Sequence, residues 1–476
     1  MSLLKNIDVR HLTHKYFFSE TLFLHLRYSF QLVYLKLENG CMKKVRILFT
    51  LLAVLSVSLI AQEKATVTLQ QAIITALEKN LDIIISNNSL EGQKTRVTSS
   101  YGTFLPRLTA SAGYSGSSTL GTPSSNFGTS ASLDASVTVF DGFQNTSSIL
   151  QAQNNRTSFE NNVVRTRQRI VFQTQQNYLQ VLRNKSLLSV SEENLIRSRQ
   201  QLSRIVESNK VGAVAKADLY RQQVQTANDE LTVIRAQNAY DNAKTDLQVF
   251  LALDALKDYY FEDSAVLNEV DALGKQKATN DFAETQKLFE EAIAARPDFQ
   301  SALLKKENAG SDVTIARSTY FPSLSARAGY STGSTTYQPG GVAGGSRSLS
   351  YGVTLSLPLF DGFRRESNVQ IAQLNLQNEE ENVAYAKRQI QSDIKKAMLN
   401  LESVRKQAEV TQQNVISAEE DRKIAEERYN LGAGTLLDLL IANSNYVKAV
   451  SDKVNASYDY VLAKQQVKFA IGSEKY

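Results

Sequence analysis

The chain repeats itself, and the repeated unit joins two alternating strands to a very long helix. Residues 103–114 (TFLPRLTASAGY) return as 319–330 (TYFPSLSARAGY). Phe140-Asp141-Gly142-Phe143 returns as Phe360-Asp361-Gly362-Phe363, and Val211-Gly212-Ala213 with Asp218 returns as Leu431-Gly432-Ala433 with Asp438. Gly142 lies 70 positions before Gly212, and Gly362 lies 70 before Gly432, with no Gly or Pro between them. Such a duplication sets the architecture before domains are counted from length. Two rods of equal length, each hung from a strand pair, describe a conduit better than an enzyme.

Ahead of the repeats, Met42-Lys43-Lys44-Val45-Arg46 is a basic start to an apolar run, Ile47 to Ile60, with Ala61 as a small residue for cleavage. Residues 42–61 are expected to be a secretory signal peptide; the run is about 14 residues, short of the roughly 20 that a spanning anchor needs. Residues 1–41 read as an over-extended N-terminus, the alternative being a genuine cytoplasmic extension. All three His (His11, His14, His25) and the only Cys (Cys41) precede residue 62. The expected mature chain therefore lacks imidazole and thiol, which removes the usual triads and zinc sites. It keeps 45 basic and 45 acidic residues, so the formal +5 of the full chain falls to zero and no nucleic-acid face is supported. Carboxylate runs such as Glu419-Glu420-Asp421 read as a solvated helix face. No cofactor, no metal and no enzyme activity are expected.

The first repeat is placed at 62–284, with strands about 107–139, a long helical hairpin about 143–252 and an equatorial segment 254–284. The second is placed at 285–476, with strands about 323–358 and a hairpin about 363–471. After each Pro (Pro106, Pro322) the pattern alternates: Leu108, Ala110, Ala112 and Tyr114 on one face, Thr109, Ser111, Gly113 and Ser115 on the other. Runs of about ten residues, apolar outward and small-polar inward, are the signature of a membrane β-barrel. The alternative is a soluble hairpin with one face on a core. Four strands do not close a barrel, and open edges are not tolerated in hydrocarbon. Two copies give eight strands with a filled interior; three give twelve and leave a lumen. The aromatics Phe140, Phe143, Phe360 and Phe363 either form an interfacial girdle or pack the junction between barrel and helices.

The helical stretches 143–211 and 363–431 reach roughly 100 Å each at 1.5 Å per residue. In the second, Val383, Ile390, Ala397, Val404, Thr411 and Ala418 recur every seven, and Ile394, Leu401, Ala408 and Val415 interleave. This is a coiled-coil seam. Each helix ends at a glycine suited to a left-handed C-cap. The returning helices, 218–252 and 435–471, are about half as long. The missing length is expected from 285–318 stacked on the first and 68–100 on the second, with 254–284 and the chain end near Ser473 meeting as a belt at mid-height.

These residues together resemble the TolC family of outer-membrane export channels over about 67–472. The resemblance implies an α+β membrane protein with a duplicated helix–β-hairpin–long helical hairpin. Three copies would form a 12-stranded β-barrel in the outer membrane and an α-helical coiled-coil tunnel in the periplasm. It implies a passive channel of a tripartite efflux pump or type I secretion system, gated at the periplasmic tips. The implied partners are a second and third copy of the chain, outer-membrane lipid, a periplasmic adaptor (membrane fusion) protein, and an inner-membrane RND, ABC or MFS transporter. By motif, the gate and selectivity positions are Asp218, Tyr429 and Asp438. The tip turns that would touch the adaptor are Val211, Gly212, Ala213, Leu431, Gly432 and Ala433. Gly434 stands where the family has an arginine, and Ile441 where it has a second acidic ring. Asp438 is either one of three converging carboxylates, which would raise one another's pKa, or, like Asp218, a cap on a returning helix. The rival function is a trimeric β-anchored coiled-coil surface or spacer protein, which gains nothing from duplicating both anchor and stalk.

Overall fold

The computed structural model describes residues 65–118, 125–262, 282–337 and 344–473. The expected signal peptide, 42–61, the stretch before it, 1–41, and most of the 254–284 belt lie outside the described residues. From Thr66 onward the chain forms one compact unit.

Strand β1 (Ala65–Val67) leads into α1 (Leu69–Lys79) and α2 (Leu81–Tyr101). Strands β2 (Arg107–Ser118) and β3 (Ser125–Phe140) precede the long α3 (Gln144–Lys210) and the returning α4 (Lys216–Phe250). After β4 (Tyr259–Phe261) the unit recurs: α5 (Phe282–Ala295), α6 (Pro297–Ser318), β5 (Ser323–Tyr337), β6 (Gly344–Ser356), α7 (Arg364–Asn430) and α8 (Leu436–Ile471). Both long helices have 67 residues, so each is about 100 Å long. The expected single helices at 68–100 and 285–318 are each broken in two, at Asn80 and Arg296. The belt holds a strand, β4, paired to β1, and a helix, α5, which begins inside the segment placed at 254–284.

Four strands form one antiparallel sheet in the order β2-β3-β5-β6. The register puts Leu108, Ala135, Ala328 and Tyr351 on one rung, and Ala110, Leu133, Tyr330 and Leu349 on the next rung of that face. Nothing among the described residues covers it: Tyr351 is 85% exposed and Leu349 73%. The opposite face is Ser, Thr and Gly with three charged side chains. The outer edges of β2 and β6 have no partner strand among the described residues.

The Phe-Asp-Gly-Phe junctions turn strand into helix in two steps. Gly142 and Phe143 both take positive φ (67° and 75°), as do Gly362 and Phe363 (71° and 64°). A Cβ on Gly142 would sit 2.5 Å from the Ser318 carbonyl oxygen, so that position also requires glycine for space. The Asn145 backbone N–H donates to Asp141 Oδ2 at 2.9 Å, satisfying an orphan donor of α3. The left-handed Phe residues cost about 1 kcal/mol or more each. Edge-to-face ring contacts, Phe140–Phe143 at 5.5 Å and Phe360–Phe363 at 5.7 Å, help to hold them. The first pair also meets Phe321 at 6.3 Å, whereas Phe360 and Phe363 stay over 70% exposed.

Two apolar cores lie near the middle of the rods. One gathers Tyr178, Leu182, Leu247, Leu251 and Phe261 under α1; the other gathers Ala292, Ile390, Ile394 and Ile471 under α5. Above and below them, α3 runs along α2 and α4 on one side and α6 and α8 on the other, while α7 runs along α6 and α8. The heptad seam of α7 lies on that side: Ile390, Ile394, Ala397 and Val404 are buried.

The stacking of short helices is opposite to expectation. Asn80 Nδ2 donates to the Phe250 carbonyl at 3.2 Å, so α2 continues the first returning helix, α4. Arg296 Nη1 donates to the Ala470 carbonyl at 3.2 Å, so α6 continues the second, α8. The cause is end chemistry. The last carbonyls of one helix meet polar donors at the start of the next, with dipoles aligned head to tail. Asn80 and Arg296 are 216 positions apart, as are Pro106 and Pro322, so the two bonds are equivalents in the duplicated halves. Among the described residues, no helix is long and apolar enough to cross a membrane.

Candidate functional site: the paired helical tips

Both tips are built by the same backbone device. At the first, Val211 ends α3, Gly212 takes φ +79°, and the Ala213 N–H donates to the Ser208 carbonyl at 2.9 Å. At the second, Leu431 ends α7, Gly432 takes φ +73°, and the Ala433 N–H donates to the Arg428 carbonyl at 2.8 Å. This six-residue closure is the glycine-dependent helix stop. Its tight turn leaves Val211 80% and Leu431 84% exposed. Two bare apolar knobs therefore project beyond the ends of the hairpins.

The acids that follow differ in role. Asp438 and Thr435 form a reciprocal capping box. The Asp438 N–H donates to Thr435 Oγ1 at 3.2 Å, and the Thr435 N–H and hydroxyl donate to Asp438 Oδ2 at 3.1 and 2.8 Å. These bonds hold the exposed Asp438 carboxyl below its usual range. The capping alternative thus has its full geometry at this position. The equivalent of Thr435 in the first half is Ala215, which has no hydroxyl, and no side-chain cap forms there. Asp218 instead lies in the first turn of α4, paired with Arg221 at 3.0 Å.

Tyr429 is half-buried, and burial raises its hydroxyl pKa; the charge of Asp218 adds to the rise and that of Arg204 opposes it. Tyr429 on α7 and Asp218 on α4 therefore share one electrostatic neighbourhood. Arg204 also pairs with Glu426 at 3.4 Å, tying α3 to α7, and Arg422 reaches the same carboxylate at 3.1 Å. A little higher, Arg197 and Arg422 both lie over the ring of Tyr446, at 5.7 and 5.2 Å, joining α3, α8 and α7. Sequence reading missed Arg204, Glu426, Arg422 and Tyr446, which carry no local motif.

Gly434 closes against the end of α7: a Cβ there would meet Arg428 Cβ at 3.1 Å and the Arg428 carbonyl carbon at 3.3 Å. An arginine at that position would require the turn to shift. Ile441 is 52% exposed, an apolar side chain where an acidic ring is expected by resemblance. Glu419 and Glu420 pair with Lys423 at 3.3 and 2.8 Å, the solvated helix face that the sequence indicates.

The duplicated chain has counterparts among known proteins. It is 24% identical over 356 residues to the outer membrane protein TolC of Escherichia coli, covering 72% of this chain and 69% of that one. It is 23% identical over 381 residues to TolC of Vibrio cholerae, covering 79% and 84%. Its fold matches the crystal structure of the Campylobacter jejuni CmeC outer membrane channel with a TM-score of 0.71 at 20% identity, covering 85% of each chain. Residues 72–252 and 288–473, both repeats almost entirely, match the family described as outer membrane efflux protein, and the chain belongs to that family.

Proposed function

We propose that three copies of this chain close a twelve-stranded barrel in the outer membrane and continue it as a helical tunnel gated at the paired tips. The family placement makes the protein an outer-membrane efflux channel with a periplasmic extension. The observation that carries the trimer is the open sheet. Among the described residues it has two unpaired edges and an uncovered apolar face, an arrangement that hydrocarbon tolerates only in a closed ring. Eight strands leave no lumen and twelve do. The helices support the same reading. Beyond its buried seam, α7 bears a second apolar stripe, Ile371, Tyr385 and Leu399 at two-heptad spacing, then Val410 and Ile424, all over half exposed. At the other side of the array, α4 bares Tyr220, Val224, Leu231 and Ile234. Each stripe supplies what the other lacks in a neighbouring copy.

Flow through such a ring is passive, with no chemistry asked of the chain. Val211 and Leu431, with the turns Val211-Gly212-Ala213 and Leu431-Gly432-Ala433, are the contacts for a periplasmic adaptor that links the channel to an inner-membrane transporter. Tyr429, Asp218 and the Arg204–Glu426 pair hold the two hairpins together at the gate. With glycine at 434 and isoleucine at 441, that closure is looser than one with an arginine lock and two acidic rings. Reconstitution of the purified trimer into a planar bilayer tests the reading: stepwise conductance is expected, and silent intact trimers overturn it in favour of the spacer.

A further inference from the structure

The polar face of the sheet holds a charge pattern that the tips do not explain. Arg107, Ser136, Arg327 and Gly352 form one rung of that face, the face opposite Leu108, Ala135, Ala328 and Tyr351. Both arginines are exposed, and neither joins an ion pair among the described residues. The next rung of the same face is Thr109, Asp134, Gly329 and Ser350. There Asp134 lies across Gly329, where a Cβ would come within 2.7 Å of its Oδ1, and accepts from the Ser132 hydroxyl at 2.8 Å. No other charged side chain occurs on this face among the described residues. Each copy therefore contributes two guanidiniums and one carboxylate to one end of the sheet, next to the helices.

We propose that Arg107 and Arg327 form a basic collar at the base of the barrel that makes the pore anion-preferring and favours cargo bearing carboxylate or phosphate groups. The inference rests on the trimeric channel reading above. In a trimer the rung becomes six arginines around one axis, with three aspartates one rung further out. Twelve strands about 4.8 Å apart and tilted about 40° make a ring about 24 Å across. Guanidiniums reaching about 6 Å inward leave a gap of about 12 Å, comparable with the Debye length of ~10 Å at 0.1 M salt, so their fields overlap across the lumen. The arginine fork suits planar oxyanions, and its charge is fixed at every physiological pH. At the tips, Asp438 has one carboxylate oxygen committed to its own helix cap, and Ile441 adds no charge. The collar therefore places more fixed charge at one level than either of those tip positions.

The test is the reversal potential of the full-length trimer in a planar bilayer under a potassium chloride gradient. Wild type is expected to favour chloride over potassium. The double variant R107S/R327S is expected to lower the chloride-to-potassium permeability ratio by roughly tenfold at low salt, the lower end of what a charged cleft contributes. Because Asp134 remains, that variant should become cation-preferring. The R107K/R327K variant, which keeps the charge, should remain anion-preferring. A wild-type channel that favours potassium, or a serine variant that conducts with an unchanged reversal potential, overturns the collar while leaving the channel standing. Silence from intact wild-type trimers overturns the channel and the collar together.

Discussion

The helices α3 and α7 are equal in length, begin after the same Phe-Asp-Gly-Phe turn and end at the same glycine stop, yet they live in different surroundings. Nineteen residues of α3 are buried and only five of α7. α3 is flanked on both sides within its own chain, and its lower half fills that space with polar links. Asn443 Nδ2 donates to Asn194 Oδ1, Asn194 Nδ2 donates to Asp229 Oδ1, and Ser198 bonds Thr226. α7 has a neighbour on one side and leaves a row of large apolar side chains in the open on the other. Duplication thus produced two copies with one design and two jobs. The inner rod builds the protomer, and in the proposed trimer the outer rod faces the next copy.

Substitutions that strike one rod and spare the other test that division. The largest effect is expected at the core of α3. Tyr178 is fully buried, stacks edge-on to Phe261 at 5.9 Å and donates to the Val67 carbonyl at 2.8 Å. Tyr178→Ala should destabilise the protomer by about 3–5 kcal/mol, read as a lower denaturant midpoint in detergent. Leu399→Asp on the bare face of α7 should leave protomer helicity intact and abolish the trimer, seen by crosslinking or native mass. Loss of helicity in L399D would show that this face is used within the chain.

The two junctions come next. Arg296 is nearly buried and bonds Asp298 at 2.6 Å, Asp393 at 3.3 Å and the end of α8. Removing it takes the main partner from two part-exposed carboxylates and a donor from the end of α8, so Arg296→Ala should cost about 2 kcal/mol, against about 1 kcal/mol for Asn80→Ala. Burial pushes the Asp298 carboxyl up, but the Arg296 hydrogen bond, its charge and that of Arg165 outweigh it and hold the group below its usual range. A carboxyl lowered on folding contributes stability that is present above its unfolded pKa of about 4 and is lost as pH falls through the folded value. The stability gap between wild type and R296A should therefore begin to narrow as pH falls below about 4 and keep narrowing as Asp298 protonates. The smallest effect is expected at the tip: Asp438→Ala, which removes a helix cap and a solvent-exposed charge, should shift ion selectivity far less than R107S/R327S. A larger shift than the collar variant gives would restore the acidic-ring reading.

Much of this was legible in the sequence because each signal is local. Glycine at 212 and 432, alternation after Pro106 and Pro322, and the heptads of α7 each need only a short window. The pairing of short helices with returning ones was not legible. It depends on which helix ends meet, and nothing near Asn80 or Arg296 names a partner some 170 positions away. The capping role of Asp438 was one of two readings open in the sequence, and Thr435 three residues before it is the capping-box pattern that favours it. The exposed stripe of α7 escaped notice because a seam at period seven draws the eye to one face of a helix that has two. Arg204 and Glu426 are 222 positions apart and belong to no motif.

The end-to-end junctions also govern how the chain must assemble. The upper part of each composite rod precedes the long helix in sequence and the lower part follows it, so the splice partners are separated by 170 and 174 residues. Loop closure over such distances is entropically late and slow. A nascent chain therefore carries α2 and then α6 as unanchored ends until the hairpin beneath each has come back. The second rod is completed only when residues near Ala470 emerge, so a truncation a few residues inside α8 should leave α6 without its footing and the last third of the molecule unclosed.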